Sequence, residues 1–155
     1  MGGHTGIEKE TNQFLSFEGN DRFHPIDHEK KRHCRYKLLN AREFWSIMGT
    51  SGDSVRKTTI IIPVDSCKKM MLDSLAYSYV QHAPYDYSVF GMRCASATYE
   101  ILEQLGIVKP LSYRNTCLRV FYPKILRKKL LKKAAKNGWI VERSEGSETR
   151  RWEKD

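Results

Sequence analysis

Apolar and polar residues alternate through the opening stretch HTGIEKETNQFLSFEG, a pattern that predicts two short strands joined by a polar turn at Thr11–Asn12. From Gly19 to Arg35 the chain is polar, histidine-rich and basic without periodicity, which predicts a long loop, and YKLL predicts a short strand after it. In NAREFWSIMG, Asn40 stands three residues before Glu43, the spacing of a reciprocal helix cap, and the segment closes on Gly49. TSGDSVRK reads as a connection. The unbroken apolar run in TTIIIPV predicts a strand buried on both faces, at the centre of a sheet. DSCKKMMLDSLAYSYVQ predicts a helix capped by Asp65 or Ser66, with Met70, Met71, Leu75 and Val80 on or near one face. A second helix is expected from Cys94 to Leu105, stopping at Gly106. CLRVFY predicts another strand, Pro123 opens a basic helix that runs to Lys136 before Gly138, and WIVER predicts a last strand. Strands and helices mixed in this order predict an α+β domain over residues 1–143, followed by a polar tail over 144–155. A chain of 155 residues is long enough for one core.

Charge narrows the partners. The net charge of +9 favours anionic molecules such as nucleic acid, a membrane surface or a wall polymer, without choosing among them. In the basic helix PKILRKKLLKKAAK the apolar residues Ile125, Leu126, Leu130, Leu131, Ala134 and Ala135 suit a surface helix with one buried stripe. No aromatic residue is interleaved among its lysines, which weighs against nucleic acid, although Phe121 and Tyr122 lie just before it. No apolar run approaches the roughly 20 residues that span a bilayer. The start MGGHTG lacks the charged and apolar regions of a secretory signal, so a cytoplasmic location and export after processing both stay open.

The cysteines Cys34, Cys67, Cys94 and Cys117 are scattered with no C-x-x-C pair, and thiols are the expected state. His24, His28, His33 and Cys34 crowd the basic loop, but their spacing fits no zinc pattern, and no metal or cofactor is expected. His82 follows a predicted helix, where a cationic imidazole interacts favourably with the C-terminal dipole.

Chemistry concentrates at Cys94, which follows the loop APYDYSVFGMR and begins a helix. Helix-start N–H groups favour a thiolate, and they also hold the oxyanion that forms when an acyl carbon is attacked. A thiol nucleophile needs a base, and the base an orienting group. His4 begins the first strand, and Glu18 lies at the open end of the same hairpin, where its carboxylate is positioned to fix the imidazole tautomer. Ser16 has the same strand parity and is the second candidate for that role. The loop histidines also precede Cys94 and are competing bases.

These residues carry a resemblance. HTGI followed by LSFEG, and much later APYDYSVFGMRCASATYEILEQLG, is similar to the circularly permuted NlpC-like group of papain-fold cysteine hydrolases, whose histidine and polar residue precede the cysteine. Pro84-Tyr85 before Cys94-Ala95-Ser96 resembles that group's PY and CS-type helix start, with Ala95 where serine is common. The resemblance implies a papain-like, circularly permuted fold with a central, mostly antiparallel sheet packed with helices. It implies Cys94 as nucleophile, His4 as base, Glu18 as orienter, and Tyr85, or more weakly Tyr87, lining the substrate or oxyanion position. The activity implied is hydrolysis of an amide or ester through a thioester, with cell-wall peptides, isopeptides and lipid acyl groups as compatible substrates. The alternative is a noncatalytic basic module that binds nucleic acid or an anionic surface.

Overall fold

The computed structural model describes residues 3–20, 25–26, 34–47 and 56–146. His24, His28, His33, Gly49 and most of the predicted basic loop lie outside them. The opening alternation forms an antiparallel hairpin of β1 (Gly6–Glu10) and β2 (Gln13–Gly19), with Gly6 opposite Ser16 and Ile7 opposite Leu15. Asn12 makes the turn in the left-handed region at φ 67°, where asparagine is among the residues best tolerated. β3 (Cys34–Leu39) pairs antiparallel with the other edge of β2, giving the order β1-β2-β3.

Phe14, Leu15, Ser16 and Phe17 are successive buried residues of β2, so both of its faces are covered. On one face Phe17 meets Tyr36, Tyr85 and Tyr87 at centroid distances of 4.7, 5.1 and 5.4 Å. On the other, Phe14 stacks at 4.6 Å on Phe44 of α1 (Ala41–Ser46). The expected cap of α1 is present: Asn40 Oδ1 accepts from the Glu43 N–H, and Glu43 Oε2 accepts from the Asn40 N–H, each at 2.9 Å.

A second, two-stranded antiparallel sheet joins β4 (Lys57–Ile61) to β5 (Ile140–Ser144), with Ile61 opposite Ile140. Four longer segments complete the helices: α2 (Ser66–Gln81), α3 (Cys94–Gln104), α4 (Tyr113–Arg119) and α5 (Pro123–Asn137). The fold is therefore α+β, with two small antiparallel sheets and five helices among the described residues. α3 is the pivot, packed against β1, β2, α4 and α5. Ala95 and Ala97 have no exposed surface, because side chains without bulk let these neighbours close on the helix. Gly106 (φ 66°) and Gly138 (φ 67°) end α3 and α5 in the left-handed conformation that glycine adopts without strain.

Three sequence expectations are corrected. The strongest apolar run is not a central strand of one sheet: β4 pairs with β5 alone among the described residues, and Ile61 is 44% exposed. Ile60 and Ile62, of opposite parity to Ile61, pack on the core, so the run is buried on one face rather than two. CLRVFY is not a strand. Its first three residues end α4, which begins where the Ser112 hydroxyl accepts from the Asn115 N–H, and a local cap outweighs the β propensity of Val120 and Phe121. In α2 the buried face is Leu72, Ala76 and Tyr79, at i, i+4 and i+7; of the predicted set Leu75 packs partly buried against the core, while Met70, Met71 and Val80 are exposed. Among the described residues no helix is long and apolar enough to cross a membrane.

Candidate active site

Residues just before β1 bring the site together. Thr5 Oγ1 lies 3.2 Å from Thr98 Oγ1, which ties the start of the chain to the first turns of α3. His4 Nε2 lies 2.8 Å from Ser16 Oγ, and Ser16 donates to Glu18 Oε1 at 3.3 Å. Glu18 Oε2 is ion-paired with Lys37 Nζ of β3 at 2.6 Å. A carboxylate only accepts, so the Ser16 proton points to Glu18, and its oxygen accepts from His4 Nε2–H.

Extending the hairpin register by two residues would set His4 opposite Glu18. The ring instead meets Ser16 on the diagonal, a spacing within reach of long side chains across a hairpin. Glu18 thus stands one hydrogen bond behind the imidazole rather than on it, held outward by Lys37. Ser16, the second candidate by sequence, is the direct partner and is completely buried.

Cys94 is the first residue of α3, with its backbone placed by the cap at Arg93, whose N–H donates to Ser96 Oγ at 2.7 Å. Its side chain is buried, and His4 and Thr5 are the groups that act on its thiol. Burial pushes the thiol up, but the hydrogen bond and charge of His4, together with the Thr5 donors, outweigh it and hold it below the usual thiol range. The Tyr87 hydroxyl interacts electrostatically with Cys94. Burial, followed by the charge of Cys94, pushes Tyr87 up to about 12, so its proton stays in place as a donor.

Of the two tyrosines expected to line the site, Tyr87 adjoins the thiol and Tyr85 does not. Tyr85 turns its hydroxyl into the core, where it bonds Tyr36 and donates to Glu100 Oε2 at 3.4 Å. The physical reason is a buried polar cluster: Glu100 also accepts from Tyr79 and Gln104, and burial pushes Tyr85 well up. Tyr87 reaches its position over Gly19, where an added Cβ would lie 2.9 Å from Tyr87 Cδ1. Gly19→Ala is therefore expected to displace the Tyr87 ring and lower stability by about 1–3 kcal/mol, as overpacking does, measured by urea denaturation. Gly6 has a similar role in HTGI: a Cβ there would come within 2.6 Å of Phe44 Cε2, and the Phe44 ring lies 5.6 Å from that of His4.

Thr5, Thr98 and Lys37 were not singled out by sequence. Thr5 had a signal, since it adjoins His4, whereas Thr98 and Lys37 are brought in only by packing. The other thiols stand apart: Cys34 is buried and donates to the Tyr85 carbonyl at 3.1 Å, Cys117 is buried, and Cys67 is exposed. His82 is exposed at the end of α2. Among the described residues no group of three His, Cys, Asp or Glu side chains is placed to hold a metal ion. No protein-family model, curated protein or solved structure matches the chain.

Proposed function

We propose that this protein is a cysteine hydrolase of the papain-like, circularly permuted NlpC-like kind, acting on an amide or ester bond. The observation that supports it best is the hydrogen-bonded line from His4 through Ser16 to Glu18, with His4 acting on the thiol of Cys94 at the first residue of α3. In this reading His4 takes the thiol proton, and the Cys94 thiolate attacks the carbonyl carbon. The oxyanion is met by N–H groups of the first turn of α3 and by the Tyr87 hydroxyl. The C–N or C–O bond breaks as the His4 imidazolium gives its proton to the departing amine or alkoxide, leaving a thioester on Cys94. Water, deprotonated by His4, then attacks the thioester carbonyl and expels the Cys94 thiolate. The basic surface favours a substrate bearing negative charge.

The intermediate is the direct test. Mixing the protein with p-nitrophenyl acetate and quenching in acid is expected to leave one acetyl group on Cys94, removable by hydroxylamine and located by peptide mass spectrometry. Acetylation confined to other residues would sink the assignment.

The relay makes a finer prediction. Ser16→Ala removes the acceptor that holds His4 Nε2–H and is expected to lower kcat by roughly 10–100-fold, the equivalent of a lost buried hydrogen bond. Glu18→Gln keeps an oxygen for Ser16 and is expected to cost only a few-fold. Steady-state turnover of the same ester by the two variants checks the order.

A further inference from the structure

A cleft of about 620 Å³ opens between β1 and β4, with His4 and Thr5 in its wall. Its two sides are strands seen edge-on. Every residue from Gly3 to Lys9 and from Arg56 to Ile62 lines it, without the alternation that a sheet face would impose. Among the described residues β1 pairs only with β2, and β4 only with β5, so each strand turns an outer edge to the same gap. Beneath the gap, helices α2, α3 and α5 supply an apolar floor that includes Leu72, Leu102, Leu126 and Leu130. Phe44 and Trp45 of α1 also line it.

A strand edge carries a row of N–H and C=O groups that need partners once water is displaced. A hydrocarbon chain in the cleft would strip water from two such rows and satisfy neither, leaving each group unpaired. An extended peptide bonds to both rows, as in strand addition to a sheet edge, and sets alternate side chains on the apolar floor. Charge selects among peptides. Among the described residues Glu8 is the only carboxylate lining the cleft, against seven lysines and arginines, of which Lys9, Arg56 and Lys68 are ion-paired with Asp73, Glu145 and Asp65.

We propose that the cleft binds one extended, acidic peptide segment as a strand between β1 and β4, and that such segments are the substrate class presented to Cys94 past His4. The binding stands independently of catalysis, and only the second half rests on the hydrolase reading. The test uses the full chain carrying Cys94→Ser, so that nothing is consumed. A fluorescein-labelled heptapeptide of alternating valine and threonine, with glutamate at each end, is titrated by fluorescence anisotropy. Two further peptides carry N-methyl groups on the amides facing one strand edge or the other.

The unmodified peptide is expected to bind in the micromolar range, and each N-methylated peptide about tenfold or more weakly, as the loss of edge hydrogen bonds requires. Hydrogen exchange is expected to slow at Ile7–Lys9 and Thr58–Ile61 in the complex. Absence of saturable binding, or equal binding of the N-methylated peptides, overturns the proposal. So does a fluorescent dodecanoate that occupies the cleft while the peptide does not. A missing acetyl-Cys94 intermediate would instead overturn the hydrolase reading and leave strand binding intact.

Discussion

Cys94→Ser is expected to lower turnover of an activated ester by about 10³–10⁵-fold while leaving the protein folded. Removing the nucleophile of a covalent mechanism typically costs several powers of ten, and a serine hydroxyl is far harder to ionise than a thiol already held below its usual range. The fold should tolerate the exchange because serine is nearly isosteric and its hydroxyl faces the polar groups that act on the sulfur, His4, Thr5 and Tyr87. A buried polar group with partners carries little penalty. The same substitution at Cys67, exposed on α2, is expected to leave turnover unchanged. Turnover by the two variants, with circular dichroism as the control for folding, makes the comparison. A folded Cys94→Ser protein with full activity would remove the catalytic role from this residue.

Ile101→Ala is expected to cost about 2–5 kcal/mol, the usual range for cutting a buried isoleucine back to alanine. Ile101 is 2% exposed and belongs to the main core cluster. It lies seven residues after Cys94, two turns along the same face of α3, so it fixes the helix that carries the thiol. Domains of this kind are stable by only about 5–15 kcal/mol, so this loss is a large share of the total. Urea denaturation of the intact protein measures it, and a loss under about 1 kcal/mol would mean that α3 is not anchored through this position.

The hairpin, the cap of α1 and the glycines that end α3 and α5 were legible in the sequence because each depends on residues close together. Local signals also located Cys94 at a helix start and His4 beside a strand. What was illegible depended on long-range packing. Nothing near β4 says that its neighbour is β5 at the far end of the chain rather than the first hairpin. Parity put His4, Ser16 and Glu18 on one face but could not choose between the opposite and the diagonal neighbour. The exchange of Tyr85 for Tyr87 has the same cause, since Glu100, Tyr36 and Tyr79 come together only in the folded core.

The proposed mechanism requires the thiol and the imidazole to act as a pair. The most direct measurement is the rate of iodoacetamide labelling at each cysteine against pH, read by mass spectrometry in the native protein and in His4→Ala. Exposed Cys67 serves as the internal reference. A depressed thiol reacts as thiolate above its own value, so Cys94 labelling is expected to rise at a pH below the ordinary thiol value of about 8.5. With His4 gone, the largest opposition to burial is removed, and the profile is expected to move upward in pH. A Cys94 profile that is unchanged in the folded His4→Ala protein would contradict the pairing.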